Sequence, residues 1–129
     1  MTRRAIKTTA APAAVGPYSQ AITTHDLVFC SGQVGLDPAT GVLVEGGLEA
    51  QVERVIRNLE AVLEAAGCTL ADVVKTTCFL ADINDFATFN AIYARFMPDP
   101  PPARSTFAVK DLPKAALVEV EAIAIRDRA

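Results

Sequence analysis

Arg104 stands at the end of Pro100-Pro101-Pro102-Ala103, and three consecutive prolines are extended before the chain folds. Little conformational freedom is left to lose in aiming that guanidinium at a fixed point. Its planar five-donor fork suits a carboxylate held through two hydrogen bonds, and it stays charged at any working pH. The plainer alternative is a strand-edge arginine paired with a surface acid, a common arrangement. Glu119 is the second residue of interest. It lies among Leu117, Val118, Val120 and Ile123, where a carboxylate is costly unless paired. Glu121, two residues on, faces the same way. The placement implies a salt bridge, a subunit contact or a proton-handling role, structural pairing being the commonest reason for one such acid.

Three weaker features accompany these two. Ser31-Gly32 interrupts an apolar strand, and glycine there marks a bulge or the close approach of a ligand to the backbone. Gly16-Pro17-Tyr18 is a rigid turn that either presents an aromatic ring with a polar tip or packs Tyr18 over the core. Asn90, between Phe89 and Ile92, is a pocket residue or a solvent-facing helix residue. There is no glycine-rich phosphate loop, nucleophile elbow or metal-ligand cluster. Chemistry here would run on an arginine, a carboxylate, hydroxyls, backbone groups and water, which restricts it to an intrinsically easy reaction.

The elements that position these residues follow from periodicity. A short strand is expected from Ala5 to Thr9, and Ser19 to Val34 reads as two strands meeting at Thr24-His25-Asp26. Asp37-Pro38-Ala39-Thr40-Gly41 supplies turn chemistry. Leu48, Val52, Val55, Ile56, Leu59, Val62 and Leu63 recur at helical spacing, and Gly67 is placed to end that helix. Val73 to Leu80 is apolar and β-branched, hence a strand. A second helix begins at Asp82 or Asn84 as N-cap, with Phe86, Phe89, Ile92, Tyr93 and Phe96 along one side. Pro98 and the proline run stop it. Strands Arg104 to Val109 and Ala116 to Ile125 close the chain. The order β-β-β-α-β-α-β-β predicts an α+β two-layer sandwich, a mixed sheet of about six strands with both helices on one face. Both parities of the last strand are substantially apolar, so the uncovered face is expected to meet another subunit.

The bulk numbers narrow the function. At 129 residues the chain is read as a single domain spanning 1–129, and 51% hydrophobic residues suffice for a core. A net charge of -3 argues against a standing nucleic-acid surface. No apolar run is long enough to span a bilayer. Arg3, Arg4 and Lys7 precede the first acid, Asp26, a faint transit-peptide flavour set against the plainer strand reading, and the cytoplasm is the expected location. Cys30, Cys68 and Cys78 have no C-x-x-C spacing and read as buried thiols of a reducing compartment. His25 is the only histidine, reads as a turn tip, and leaves too few ligands for a metal site.

Taken together, several segments in order resemble the YjgF/RidA family. They are Ala13-Ala14-Val15-Gly16-Pro17-Tyr18-Ser19-Gln20, Ser31-Gly32-Gln33-Val34 and Val74-Lys75-Thr76-Thr77-Cys78-Phe79-Leu80. Asn84-Asp85-Phe86-Ala87-Thr88-Phe89-Asn90, Pro102-Ala103-Arg104-Ser105 and Ala122 to Arg126 continue the match. The resemblance implies a chorismate-mutase-like fold and a homotrimer with sites at the subunit interfaces. It also implies cofactor-free, metal-free hydrolysis of reactive 2-imino and 2-enamino acids, such as 2-aminoacrylate and 2-iminobutyrate, to 2-keto acids and ammonia. Carried over by position, Arg104 is the carboxylate-binding arginine and Glu119 the acid near the attacking water, while Tyr18, Ser31, Gly32 and Asn90 line the pocket. Where many members carry a cysteine this chain has Thr106, so a thiol nucleophile there is excluded and only the Thr106 carbonyl is left to orient water. Cys30 neighbours Ser31 but points to the opposite strand face, and it is not taken as a replacement for that cysteine. Two other readings follow from relatives and from the pocket itself: an endoribonuclease or translation inhibitor, and a metabolite-binding or chaperone-like trimer without turnover.

Overall fold

The inner strands alternate buried with outward residues, and each helix has one apolar side. These patterns assemble residues 3–126, which the computed structural model describes. The strands are β1 (Arg3–Ile6), β2 (Ala21–Thr24), β3 (Leu27–Gln33), β4 (Val73–Leu80), β5 (Ala103–Ala108) and β6 (Val118–Ile125). The helices are α1 (Gly47–Ala65) and α2 (Phe86–Ala94). One mixed sheet holds all six strands in the order β1-β2-β3-β6-β4-β5, with β4 and β5 parallel and every other pair antiparallel. The α+β sandwich expected from the sequence is the observed architecture.

The core lies between the helices and one sheet face. Helix α1 buries Val52, Val55, Ile56, Leu59, Val62 and Leu63, each worth about 1.5–3 kcal/mol on leaving water. Strand β6 answers with Val118, Val120, Ala122 and Ala124, while Glu119, Glu121, Ile123 and Ile125 point the other way. Asn58, fully buried on α1, donates its amide to the carbonyls of Val34 and Leu36 at 3.2 and 3.0 Å and accepts from Arg54 Nε at 3.1 Å. That bond set fastens the chain leaving β3 to the helix layer. On the uncovered face Leu27, Phe29, Phe107 and Ile125 remain exposed.

Local expectations met the structure unevenly. Gly67 takes φ +84 just beyond α1, as a C-terminal glycine should. His25 turns β2 into β3 with φ 52. Asp82 caps not α2 but a short 3-10 turn, Ile83–Asp85, that feeds it, by accepting from the Asn84 amide. The first strand runs from Arg3 to Ile6 rather than Ala5 to Thr9. The reason is Gln20, whose side chain accepts from the Thr8 amide at 2.7 Å and donates to the carbonyls of Thr8 (3.1 Å) and Pro12 (2.7 Å), taking the place of a ladder partner. Among the described residues no helix is long and apolar enough to cross a membrane.

Candidate functional site

Register decides which side of the sheet each candidate residue occupies. Thr76 on β4 is the partner of Arg104 on β5 and of Ala122 on β6, and Cys78 is the partner of Thr106 and Val120. Arg104 and Thr106 therefore share the helix-covered face with Ala122 and Val120. Phe79, by contrast, pairs with Glu119 on one side and Phe107 on the other, so Glu119 belongs to the uncovered face. The two residues expected to work on one substrate lie on opposite faces of the same sheet, two strands apart.

On the covered face, Arg104 rests against α2. Its Cζ is 5.1 Å from the ring centroid of Tyr93, 5.7 Å from Phe86 and 5.8 Å from Phe89, all within cation–π range. Among the described residues it makes no ion pair, so the surface-pairing alternative does not hold. Asn90 lies between Phe86 and Tyr93 on the flank of α2 that carries those rings. Its Oδ1 is buried without a hydrogen-bond partner, and so is the Oγ1 of Thr106, with which the Cys78 thiol interacts only weakly. A partly exposed cation and two buried oxygens without hydrogen-bond partners can take up a polar ligand. Burial raises the Tyr93 phenol and pushes the Cys78 thiol up to about 11, while the Arg104 charge pulls both down by less. Neither group is poised as a nucleophile.

On the uncovered face, Tyr18, Ser31, Gly32, Lys114, Glu119 and Glu121 line an open cleft of about 630 Å³. Tyr18 is 52% exposed and forms the cleft wall, not a cap on the core. The turn before it closes as expected, with Gly16 at φ +125 and the Tyr18 amide donating to the Gly16 carbonyl. Ser31 is tied into this loop: its Oγ donates to the Ser19 carbonyl at 2.6 Å and its amide to the Gln20 carbonyl at 3.0 Å. The strand register shifts between Cys30 and Gln33, the irregularity that Ser31-Gly32 foretold. Gly32 is glycine for a steric reason. A Cβ there would collide with Glu119 Oε2 and stand 2.8 Å from its Cδ. The Glu119 carboxyl is thus laid against bare backbone, and among the described residues it has no ion pair. Burial first, and the neighbouring Glu121 charge second, hold its proton above the ordinary carboxylate range.

The structure accordingly gathers Tyr18, Ser31, Gly32 and Glu119 in one place and Asn90, Arg104 and Thr106 in another. It adds two features that sequence reasoning missed. The aromatic floor under Arg104 was read only as a helix packing stripe. Lys114 enters the cleft from a turn in which it and Ala115 take φ 60 and 56, a conformation that non-glycine residues rarely adopt and that no local sequence signal announced. The three cysteines are buried, and His25 sits at the far end of β6 from Glu119, its carbonyl accepting from Arg126. Among the described residues no group of His, Cys, Asp and Glu is arranged to hold a metal.

Comparison with known proteins bears on the family and the fold. The family model described as endoribonuclease L-PSP matches residues 8–126. A mouse protein named 2-iminobutanoate/2-iminopropanoate deaminase is 49% identical over 124 residues, covering 96% of this chain and 92% of the relative. The crystal structure of a putative endoribonuclease from Thermotoga maritima superposes with a TM-score of 0.93 at 47% identity, over 96% of this chain and 98% of that one. Escherichia coli TdcF, solved with bound serine, superposes with a TM-score of 0.89 at 39% identity, over 96% and 99%. The chain belongs to the endoribonuclease L-PSP family, the YjgF/RidA group whose motifs its sequence carries.

Proposed function

We propose that the chain is a deaminase that hydrolyses small 2-imino and 2-enamino acids to 2-keto acids and ammonia. The observation that carries this reading is the unpaired Arg104, held against three aromatic rings beside the unsatisfied Asn90 and Thr106 oxygens. The names of its relatives and the amino acid bound to TdcF support the same substrate class. Because Arg104 and Glu119 lie on opposite sheet faces, we place the working site between copies, with Arg104 from one chain facing the Glu119 cleft of the next. The exposed Leu27, Phe29 and Ile125 give the uncovered face the apolar character that a homotrimer would cover. Buried thiols suit a reducing compartment, which we take to be the cytoplasm.

In this mechanism Arg104 takes the substrate carboxylate through paired charge-assisted hydrogen bonds and sets the iminium carbon beside a water in the Glu119 cleft. Glu119 accepts a proton as that water adds to the carbon, giving a tetrahedral carbinolamine. Glu119 returns that proton to nitrogen; the C–N bond then breaks, the hydroxyl gives up its own proton to the Glu119 carboxylate as the carbonyl forms, and ammonia leaves. The Thr106 carbonyl is available to orient the water. Iminium hydrolysis proceeds in plain water, so orientation and one proton carrier are sufficient.

The test is keto-acid release from 2-aminoacrylate and 2-iminobutyrate, generated in situ by a serine/threonine dehydratase. Loss of hydrogen bonds to a charged group, about 1.5–3 kcal/mol, predicts a fall in kcat/KM of roughly 10- to 100-fold for Arg104→Ala, with unchanged thermal unfolding. Turnover by that variant at the wild-type rate would remove Arg104 from the mechanism. The family description favours RNA cleavage as the second reading. Metal-free protein that cleaved RNA while failing to release keto acid would replace the deaminase with it.

A further inference from the structure

The unpaired state of Arg104 poses a physical question. A partly buried guanidinium without a counter-ion loses hydration, and an acid alongside would ordinarily compensate it. Such an acid would also occupy the fork and compete with any ligand carboxylate. Here the compensation comes from ring faces. Cation–π attraction uses no hydrogen-bond acceptor, so the charge is stabilised without an acid competing for the donors of the fork.

The three rings are not equivalent. Phe86 is 38% exposed, so water reaches it. Phe89 is fully buried but stands farther from Cζ than Tyr93 does. Tyr93 is 5% exposed, is nearest to Cζ at 5.1 Å, and packs against Phe89 with centroids 5.3 Å apart. It alone is fixed at its tip, where its hydroxyl lies 2.7 Å from Thr76 Oγ1 in a buried hydrogen bond. Thr76 is the register partner of Arg104 across β4 and β5. The three residues therefore close a triangle: strand pairing joins Thr76 to Arg104, a hydrogen bond joins Thr76 to Tyr93, and ring contact joins Tyr93 to Arg104.

We propose that Tyr93, pinned by Thr76, is a positioning residue that holds Arg104 with its edge donors open for the substrate carboxylate. The role rests on the reading of Arg104 given above and goes beyond it by assigning work to two residues that touch no substrate. The triangle replaces a counter-ion with a neutral support, which lets an anionic ligand bind without displacing a competitor.

The test is steady-state keto-acid release by wild type, Arg104→Ala, Tyr93→Leu, Tyr93→Phe, Thr76→Val and the Tyr93→Phe/Thr76→Val double variant. A partly desolvated cation–π contact predicts a KM raised about tenfold in Tyr93→Leu, with kcat within about threefold of wild type. Tyr93→Phe and Thr76→Val each raise KM by about threefold, and the double variant does no more than either, because both remove one hydrogen bond. A merely structural role would reduce the folded fraction, and so apparent kcat, while leaving KM alone. A raised KM in Arg104→Ala with wild-type KM in Tyr93→Leu overturns the positioning role and spares the carboxylate site. A wild-type KM in Arg104→Ala overturns both. Should Tyr93→Leu fail to fold, wild-type KM in both Tyr93→Phe and Thr76→Val overturns the proposal on its own.

Discussion

Gly32→Ala is expected to separate activity from stability. The added methyl would overlap Glu119 Oε2 and stand 2.8 and 3.0 Å from its Cδ and Cγ. These atoms belong to a side chain with rotatable bonds on an open cleft, so the carboxyl swings aside while the backbone stays. Gly32 needs no left-handed backbone conformation, and alanine at a compatible site restricts the unfolded chain. Unfolding free energy should change by less than about 1 kcal/mol, in either direction. The displaced oxygen must retreat by roughly 1 Å, a misplacement that costs about 10²-fold in rate. Keto-acid release measured beside urea unfolding gives both quantities on one preparation. A variant with wild-type kcat would show that the observed seat of the Glu119 carboxyl is irrelevant to turnover. A variant several kcal/mol less stable would show that the strand, not the carboxyl, had yielded.

Further expectations follow from other parts of the molecule. Because the folded chain holds the Glu119 proton above its ordinary value of 4.5, stability should fall as pH rises from that value through the raised one. Glu119→Gln should then unfold at a higher temperature than wild type near neutrality, and show no such gain below pH 4. The same variant should lose the acid limb of the kcat profile, which Glu119 imposes if its ionised form takes the proton from water. Asn58→Ala leaves the Val34 and Leu36 carbonyls without their shared donor, and should cost about 2–4 kcal/mol in urea unfolding. Cys30, pushed up to about 12 by burial and by Cys68, and Cys78 at about 11 should resist iodoacetamide at pH 8 until the chain is unfolded.

Much of this architecture was legible because local patterns and global packing agree. The helical recurrence from Leu48 to Leu63 and the β-branched run Val73–Leu80 named α1 and β4 to within a residue or two. The bulge at Ser31-Gly32 and the Gly16-Pro17-Tyr18 turn were visible because glycine and proline constrain the backbone directly. What escaped depends on partners distant in sequence. Thr8 and Thr9 look like strand residues, and only the Gln20 side chain, twelve positions from Thr8, draws that segment out of the ladder. Parity within β6 gave Glu119 a side, but not the side relative to Arg104, since that requires the β4–β5 and β4–β6 registers. The rings of α2 were recognised as an apolar stripe, yet nothing local says that a strand-borne guanidinium will lie on them.

The opposed placement of Arg104 and Glu119 has a consequence for inheritance. If each working site draws its cation from one copy and its acid from the next, every chain is a donor to two sites and sufficient for none. A lesion in either half then silences one site per defective copy and leaves the other contribution intact, so a mixed population loses activity in proportion to the mutant dose. A chain damaged in both halves spoils two sites at once, so in an evenly mixed population an allele combining the lesions costs more sites than either lesion alone, and the loss exceeds the mutant dose.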